Sequence, residues 1–226
     1  MIDKNDLFRQ TMSSLDKSRY GTAGNGNIDK TGLFYHVVTK SFYGKAIFRR
    51  ELADYRQILM RNLCEERGIT IIFSVTMPNH THEIFLTPDW SSLAEMMRIL
   101  NLNVTKQIRM NNKEKFPKKV RILRRNPIYV VIRDIKTLFY EGKYLFDNPQ
   151  YLKDEKKIVP YNGFWMFESG HFLSGYDQTI YKKLFDLDPD NIHALYTKYS
   201  KEEIRAYADR KFSNWTDEMN QSIFYK

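Results

Sequence analysis

The 226 residues carry 36 Lys and Arg against 27 Asp and Glu, a formal net charge of +9, with 42% hydrophobic and 28% charged residues, the balance of a globular chain. One cysteine excludes an internal disulfide framework and a Cys-based zinc site. No apolar run approaches the ~18 residues of a membrane span, and the opening MIDKNDLFRQ lacks the apolar stretch of a secretory signal. The expectation is a basic cytoplasmic protein rich in Tyr and Phe, with nucleic acid as the leading partner class and no membrane role.

Residues 1–31 read as a flexible arm, because Gly21-Thr22-Ala23-Gly24-Asn25-Gly26-Asn27 has little to bury. Leu33–Thr39 is β-branched and aromatic, which predicts a strand. Leu52, Tyr55, Leu59 and Leu63 recur in steps of three and four, marking a helix from Arg49 to Arg67 that Gly68 stops. Ile69–Thr76 is a second strand, Met77-Pro78-Asn79 a turn and His80–Leu86 a third strand. A long helix follows from about Ser92, where Ser92 and Glu95 have capping-box spacing. Pro127–Ile132 is a fourth strand, and Arg133 to about Asp147 a helix that ends at Asn148-Pro149. The order β-α-β-β-α-β followed by a further helix predicts an α+β, ferredoxin-like split βαβ fold with an antiparallel sheet. Residues 151–226 read as a small helical extension, with helix starts at Asp188-Pro189 and at Ser200, whose Glu203 repeats capping-box spacing.

The charge is concentrated. Lys106, Arg109, Lys113, Lys115, Lys118, Lys119, Arg121, Arg124 and Arg125 fall in one window whose only acid is Glu114. A solvated helix end is the bland reading; a run this one-sided is better explained as a surface for nucleic-acid phosphates.

Two groups of residues could carry chemistry. His80 and His82 stand two apart in a strand, so their side chains share a face and could share one cation, while Thr81 and Glu83 point the other way. Tyr144 and Asn148 stand four apart on one helix face. The apolar stripe of that helix is Ile135, Leu138, Phe139, Leu145 and Phe146. Tyr144 lies nearly opposite its centre, so packing on that stripe does not account for it. His36 reads as a strand residue, and no role is assigned to His171 or His193.

Val75-Thr76-Met77-Pro78-Asn79-His80-Thr81-His82 resembles the Met-Pro-Asn-His-hydrophobic-His signature of the HUH single-strand transposases. Phe34–Lys40 resembles that family's first strand and Ile47-Phe48 its lead into the first helix. Tyr144-Leu145-Phe146-Asp147-Asn148-Pro149 resembles the Tyr-Ile-x-x-Asn-Pro segment of the REP-associated tyrosine transposases. The resemblance spans about 32–150, which it marks as the catalytic domain. It departs at Thr81, at Glu83, at Phe146 and in the residues after Pro149.

The resemblance implies that Tyr144 is the nucleophile. His80, His82 and Asn148 would hold a divalent metal, Mg²⁺ or Mn²⁺. The mixed nitrogen and oxygen donors would suit Mn²⁺ better, since Mg²⁺ prefers oxygen. The implied reaction cuts single-stranded DNA near a hairpin, leaving a 5′-phosphotyrosine and a free 3′-hydroxyl, and then reverses on another end. A phenol with a pKa of ~10 is both nucleophile and competent leaving group. Two other readings compete. A non-catalytic, domesticated hairpin-binding protein of the same fold would not need all four site residues. A nuclease that activates water would want more carboxylates near the histidines. Monomer and homodimer are both open at this point.

Overall fold

The computed structural model describes residues 30, 32–48, 51–111, 116, 120–124, 126–151, 158–161, 164–167 and 172–225. The 1–29 portion of the expected arm lies outside them, as do Lys113, Lys115, Lys118, Lys119 and Arg125. Strand β1 spans Phe34–Lys40, helix α1 Glu51–Glu65, β2 Thr70–Met77, β3 His80–Leu86 and α2 Trp90–Asn111. Then come β4 (Ile128–Ile132) and α3 (Ile135–Asp147). The sheet order β4-β1-β3-β2, with every pair antiparallel, is the expected split βαβ arrangement.

The sheet continues past β2. β7 (Phe172–Tyr176), β6 (Phe164–Phe167) and β5 (Ile158–Tyr161) extend it to seven strands among the described residues. Four helices follow among the described residues: α4 (Gln178–Phe185), α5 (Pro189–Lys198), α6 (Lys201–Lys211) and α7 (Asp217–Phe224). The segment after 151 therefore builds sheet as well as helix.

Each sheet face has its own core. Tyr35, Val37 and Phe85 pack on one side with Met60 and Leu63 of α1 and Leu93, Met97 and Leu100 of α2. Phe34, Phe73, Val75 and Ile84 pack on the other with Leu138 and Phe139 of α3 and with the C-terminal helices. Because both faces are covered, Phe34 to Thr39 are all buried, and β1 shows no alternation of polar and apolar residues. Each large side chain buried this way contributes about 1.5–3 kcal/mol.

The helix signals resolve as follows. Gly68 ends the α1 region with φ 62°, a left-handed turn that glycine adopts without a Cβ penalty. The Ser200–Glu203 capping box forms. At α2 the cap is Asp89 rather than Ser92. Its carboxylate accepts from Ser92 N at 2.8 Å and from the Ser91 and Ser92 hydroxyls. Those bonds hold the Asp89 carboxyl down at about 2. Glu95 pairs with Arg98 instead.

Candidate active site

Strand register assembles the histidines. On β1 and β3 the cross-strand partners are Lys40 with His80, Val38 with His82 and His36 with Ile84. Opposed residues share a face, so Lys40, His36, His80 and His82 all lie on the side that carries α3. Thr81 and Glu83 lie on the other side, as strand alternation requires. There Glu83 accepts from Arg56 at 2.7 Å and from Thr81 at 3.2 Å, all three buried. Glu83 thus belongs to a structural ion pair beneath the sheet.

Helix α3 is held on two sides. Phe139 packs against Phe185, Tyr196, Tyr207 and Phe212. Gly142 brings the helix so close to α4 and α5 that an added Cβ would sit 2.5 Å from Tyr181 Oη and 2.6 Å from Tyr196 Oη. Lys143 donates to Asp147 at 2.6 Å and to the Tyr196 carbonyl at 2.5 Å. The apolar stripe read from the sequence faces these C-terminal helices. Glu141, Tyr144 and Asn148 then share about 60° of arc, at ~100° per residue, and that arc meets the histidines.

The ring of Tyr144 stands edge-on to His82 with centroids 5.5 Å apart, and 6.2 Å from His36. Asn148 donates its Nδ2 to the Tyr144 carbonyl at 2.8 Å, and its side chain also reaches His80. The four residues singled out in the sequence are therefore brought together. Burial, reinforced by Lys40, pulls His80 down to about 4. Burial also holds His82 well below its usual range, with His80, His36 and Lys40 adding to the effect. Both rings are neutral at physiological pH, the form that ligates metals.

Two further residues complete a chain behind His82. His36 Nε2 lies 2.9 Å from His82 Nδ1. His36 Nδ1 lies 3.0 Å from a Glu141 oxygen, close, though not aligned as a full hydrogen bond. A carboxylate can only accept, so it selects the tautomer with the proton on His36 Nδ1. His36 Nε2 then accepts, His82 Nδ1 carries a proton and His82 Nε2 is left bare. At His80, Nδ1 faces Asn79 Oδ1 at 2.6 Å, which likewise leaves Nε2 bare. With Asn148 Oδ1, three lone pairs are available for a cation. Among the described residues no three His, Cys, Asp or Glu side chains form a ready metal cage; here the third donor is an amide.

The sequence reading left out His36, Glu141, Lys40 and Lys201. Glu141 was findable, since it stands three residues before Tyr144 on one face. His36 was signalled only as a lone imidazole in an apolar strand. Lys40 sits beside His80, its ammonium pulled down to about 8 by burial and by Arg124. Lys201, at the start of α6, places its ammonium 5.3 Å from the centre of the Tyr144 ring. Of the basic run, Lys106, Arg121 and Arg124 are exposed, whereas Arg109 is half-buried and donates to the Val120 carbonyl at 3.2 Å. The single cysteine, Cys64, is buried under the opposite sheet face, and burial pushes its thiol up to about 12. It is not a nucleophile.

Residues 29–123 match the model of the family described as Transposase IS200 like. This segment is similar to that family. It contains His36, His80 and His82, while Tyr144 and Asn148 lie beyond it. Among solved structures, a REP-associated tyrosine transposase bound to a REP hairpin aligns at 17% identity and a TM-score of 0.43, over 58% of this chain and 74% of that one. A Deinococcus radiodurans R1 protein assigned as a transposase aligns at 17% identity and a TM-score of 0.39, over 56% and 96%. No curated protein matches the chain. No helix among the described residues is long and apolar enough to cross a membrane.

Proposed function

We propose that the chain cuts and rejoins single-stranded DNA at hairpin-containing sequences, with Tyr144 as nucleophile and a divalent metal held by His80, His82 and Asn148. The observation that carries this reading is the seating of the Tyr144 ring against His82, with Asn148 bridging the tyrosine backbone and His80. The donor set fits the metal: two imidazoles kept neutral by burial, each with Nε2 bare, and one amide oxygen. When bound there, Mg²⁺ or Mn²⁺ supplies charge neutralisation and orientation for the scissile phosphate.

The chain's own residues do the rest. Tyr144 Oη attacks phosphorus, forming the Tyr144–phosphate bond as the bond from phosphorus to the 3′ oxygen breaks. The product pair is a 5′-phosphotyrosine and a free 3′-hydroxyl. The reverse attack by another 3′-hydroxyl expels Tyr144 and joins the strands. Lys40 and Arg124 bring positive charge to the phosphate side of the site. Lys201 places a cation at the nucleophile's ring. The exposed basic residues that follow α2 suit the DNA backbone. Tyr144 acts in the site of its own chain.

The test is a cleavage assay with end-labelled single-stranded DNA carrying a hairpin from the flanks of the gene, with Mn²⁺ or Mg²⁺ and an EDTA control. A metal-dependent covalent protein–DNA adduct is expected, lost in Tyr144→Phe. Tight hairpin binding with neither cut nor adduct would instead make the chain a binding protein. Cleavage that survives Tyr144→Phe without an adduct would point to activated water.

A further inference from the structure

The turn after β1 carries a feature that the cleavage site does not use. Tyr43 has φ 58° and ψ 24°, left-handed backbone that a bulky residue rarely adopts, and Gly44 follows with φ 65°. Glycine would meet the same backbone demand at 43 without a side-chain penalty. Instead the position holds an aromatic ring that is 83% exposed, so the ring returns no core packing for the strain.

The turn is nevertheless firmly placed. Ser41 N donates to the Asn79 carbonyl at 2.9 Å, Phe42 N to the Ile122 carbonyl at 2.7 Å, and Arg124 N to the Lys40 carbonyl at 2.9 Å. It is therefore clamped between the residues just before His80 and the end of the basic segment. Three residues of chain reach at most about 11 Å, so Tyr43 lies within that backbone distance of Lys40, the cross-strand partner of His80.

The surroundings are cationic and aromatic. Phe42 meets Tyr43 edge-on at 4.2 Å, and the Arg121 guanidinium lies 5.5 Å from the centre of the Phe42 ring. Lys45 stands 5.5 Å from the Phe116 ring. Lys45, Arg121 and Arg124 are exposed. Rings interleaved with cations are the recognition chemistry of unpaired nucleotides: bases stack while phosphates are neutralised.

We propose that the Phe42–Tyr43 turn is a stacking platform for an unpaired base of single-stranded DNA close to the cleaved phosphate. The proposal rests on the single-strand reading above and adds a binding site to it. A ring carried on an anchored backbone has less freedom to lose when a base arrives, which gives the strained backbone a purpose.

Binding to dT20 containing one 2-aminopurine, measured by anisotropy and by quenching, tests it with the full chain. The variants are Tyr43→Gly, Tyr43→Ala and Tyr43→Trp; the glycine variant removes the ring while relieving the backbone. The glycine and alanine variants should bind dT20 about 5- to 150-fold more weakly, the range for loss of one stacked base, and lose the quenching. Tyr43→Trp should retain both. Binding of a blunt duplex should not change, because it offers phosphates without splayed bases. If wild type binds dT20 and the glycine and alanine variants bind it equally well, the platform is wrong and the single-strand reading stands. If wild type does not bind dT20, the platform falls, and the hairpin-dependent reading is decided by the cleavage assay above. A change in sedimentation of the variants with unchanged DNA binding would make the turn a contact between copies and overturn the proposal.

Discussion

Replacing His36 by Phe should weaken divalent-metal binding although His36 is not a proposed ligand. His36 Nε2 sits 2.9 Å from His82 Nδ1 and is the acceptor that keeps the His82 proton on Nδ1. Without it, His82 can place its proton on Nε2, where the cation must bind, and its buried Nδ1 loses its partner. Leaving a buried donor unsatisfied costs about 1–3 kcal/mol. Loss of a hydrogen bond behind a metal-binding imidazole typically costs 10- to 100-fold in affinity, or about 1.4–2.8 kcal/mol, and the two scales agree. Mn²⁺ binding measured by titration calorimetry and by electron paramagnetic resonance of free Mn²⁺ should show that loss. Glu141→Gln should cost less, because its amide oxygen still presents a partial negative charge to His36 Nδ1. Unchanged Mn²⁺ affinity in a folded His36→Phe protein would refute the role assigned to this chain of side chains.

Gly142→Ala should destabilise the protein by about 1–3 kcal/mol, the usual cost of overpacking. The helix-propensity gain of ~1 kcal/mol offsets part of this, but Tyr181 and Tyr196 are fully buried and Tyr196 Oη is bonded to the Phe139 carbonyl at 2.8 Å. A scanning-calorimetry Tm equal to wild type would mean that both tyrosines can retreat. The metal-free protein should lose stability as pH falls from about 6.5 towards 5. Unfolded histidines take up protons near 6.5, whereas His80 resists until about 4 and His82 is also held low. Each group contributes up to about 1.4 kcal/mol per pH unit in that window. Thermal melts in EDTA should therefore slope less in a His80→Gln/His82→Asn protein, and an equal slope would contradict the assignment.

The described strands and helices between 34 and 147 were legible because their signals are local. Alternating or continuous apolar runs located β1 to β4 and three- and four-residue steps located the helices, while the histidine and tyrosine motifs named the four residues that the fold brings together. What escaped depends on register and tertiary contact. Nothing local says that His36 lies diagonally across from His82, since that follows only from pairing Val38 with His82. The cap at Asp89 was passed over because Ser92 and Glu95 had the same nominal spacing, while the carboxylate has the stronger claim on the free N–H groups. β5 to β7 are strands of four or five residues interrupted by glycines, too short for a clear period. Lys201 lies 57 residues from Tyr144 in sequence, and only the packing of α6 against α3 brings them together.

That packing also decides how Tyr144 is presented. A helix joined to the sheet by a short link could be exchanged between two copies, each chain lending its tyrosine to the other. Here exchange would strip Gly142 from Tyr181 and Tyr196, Lys143 from the Tyr196 carbonyl and Phe139 from its aromatic cluster, unless the C-terminal helices moved as well. Those helices are in turn tied to the sheet. Tyr176 of β7 accompanies Tyr181 at 4.6 Å, the Phe224 ring of α7 lies tilted against Phe34 of β1 at 4.5 Å, and Leu33 N donates to the Phe224 carbonyl at 3.0 Å. Exchange of α3 alone would expose a large apolar surface at about 25 cal/mol per Å², and exchange of the whole assembly would break the sheet contacts. The described C-terminal helices thereby hold the α3 helix, with Tyr144, against the sheet face that carries the histidines.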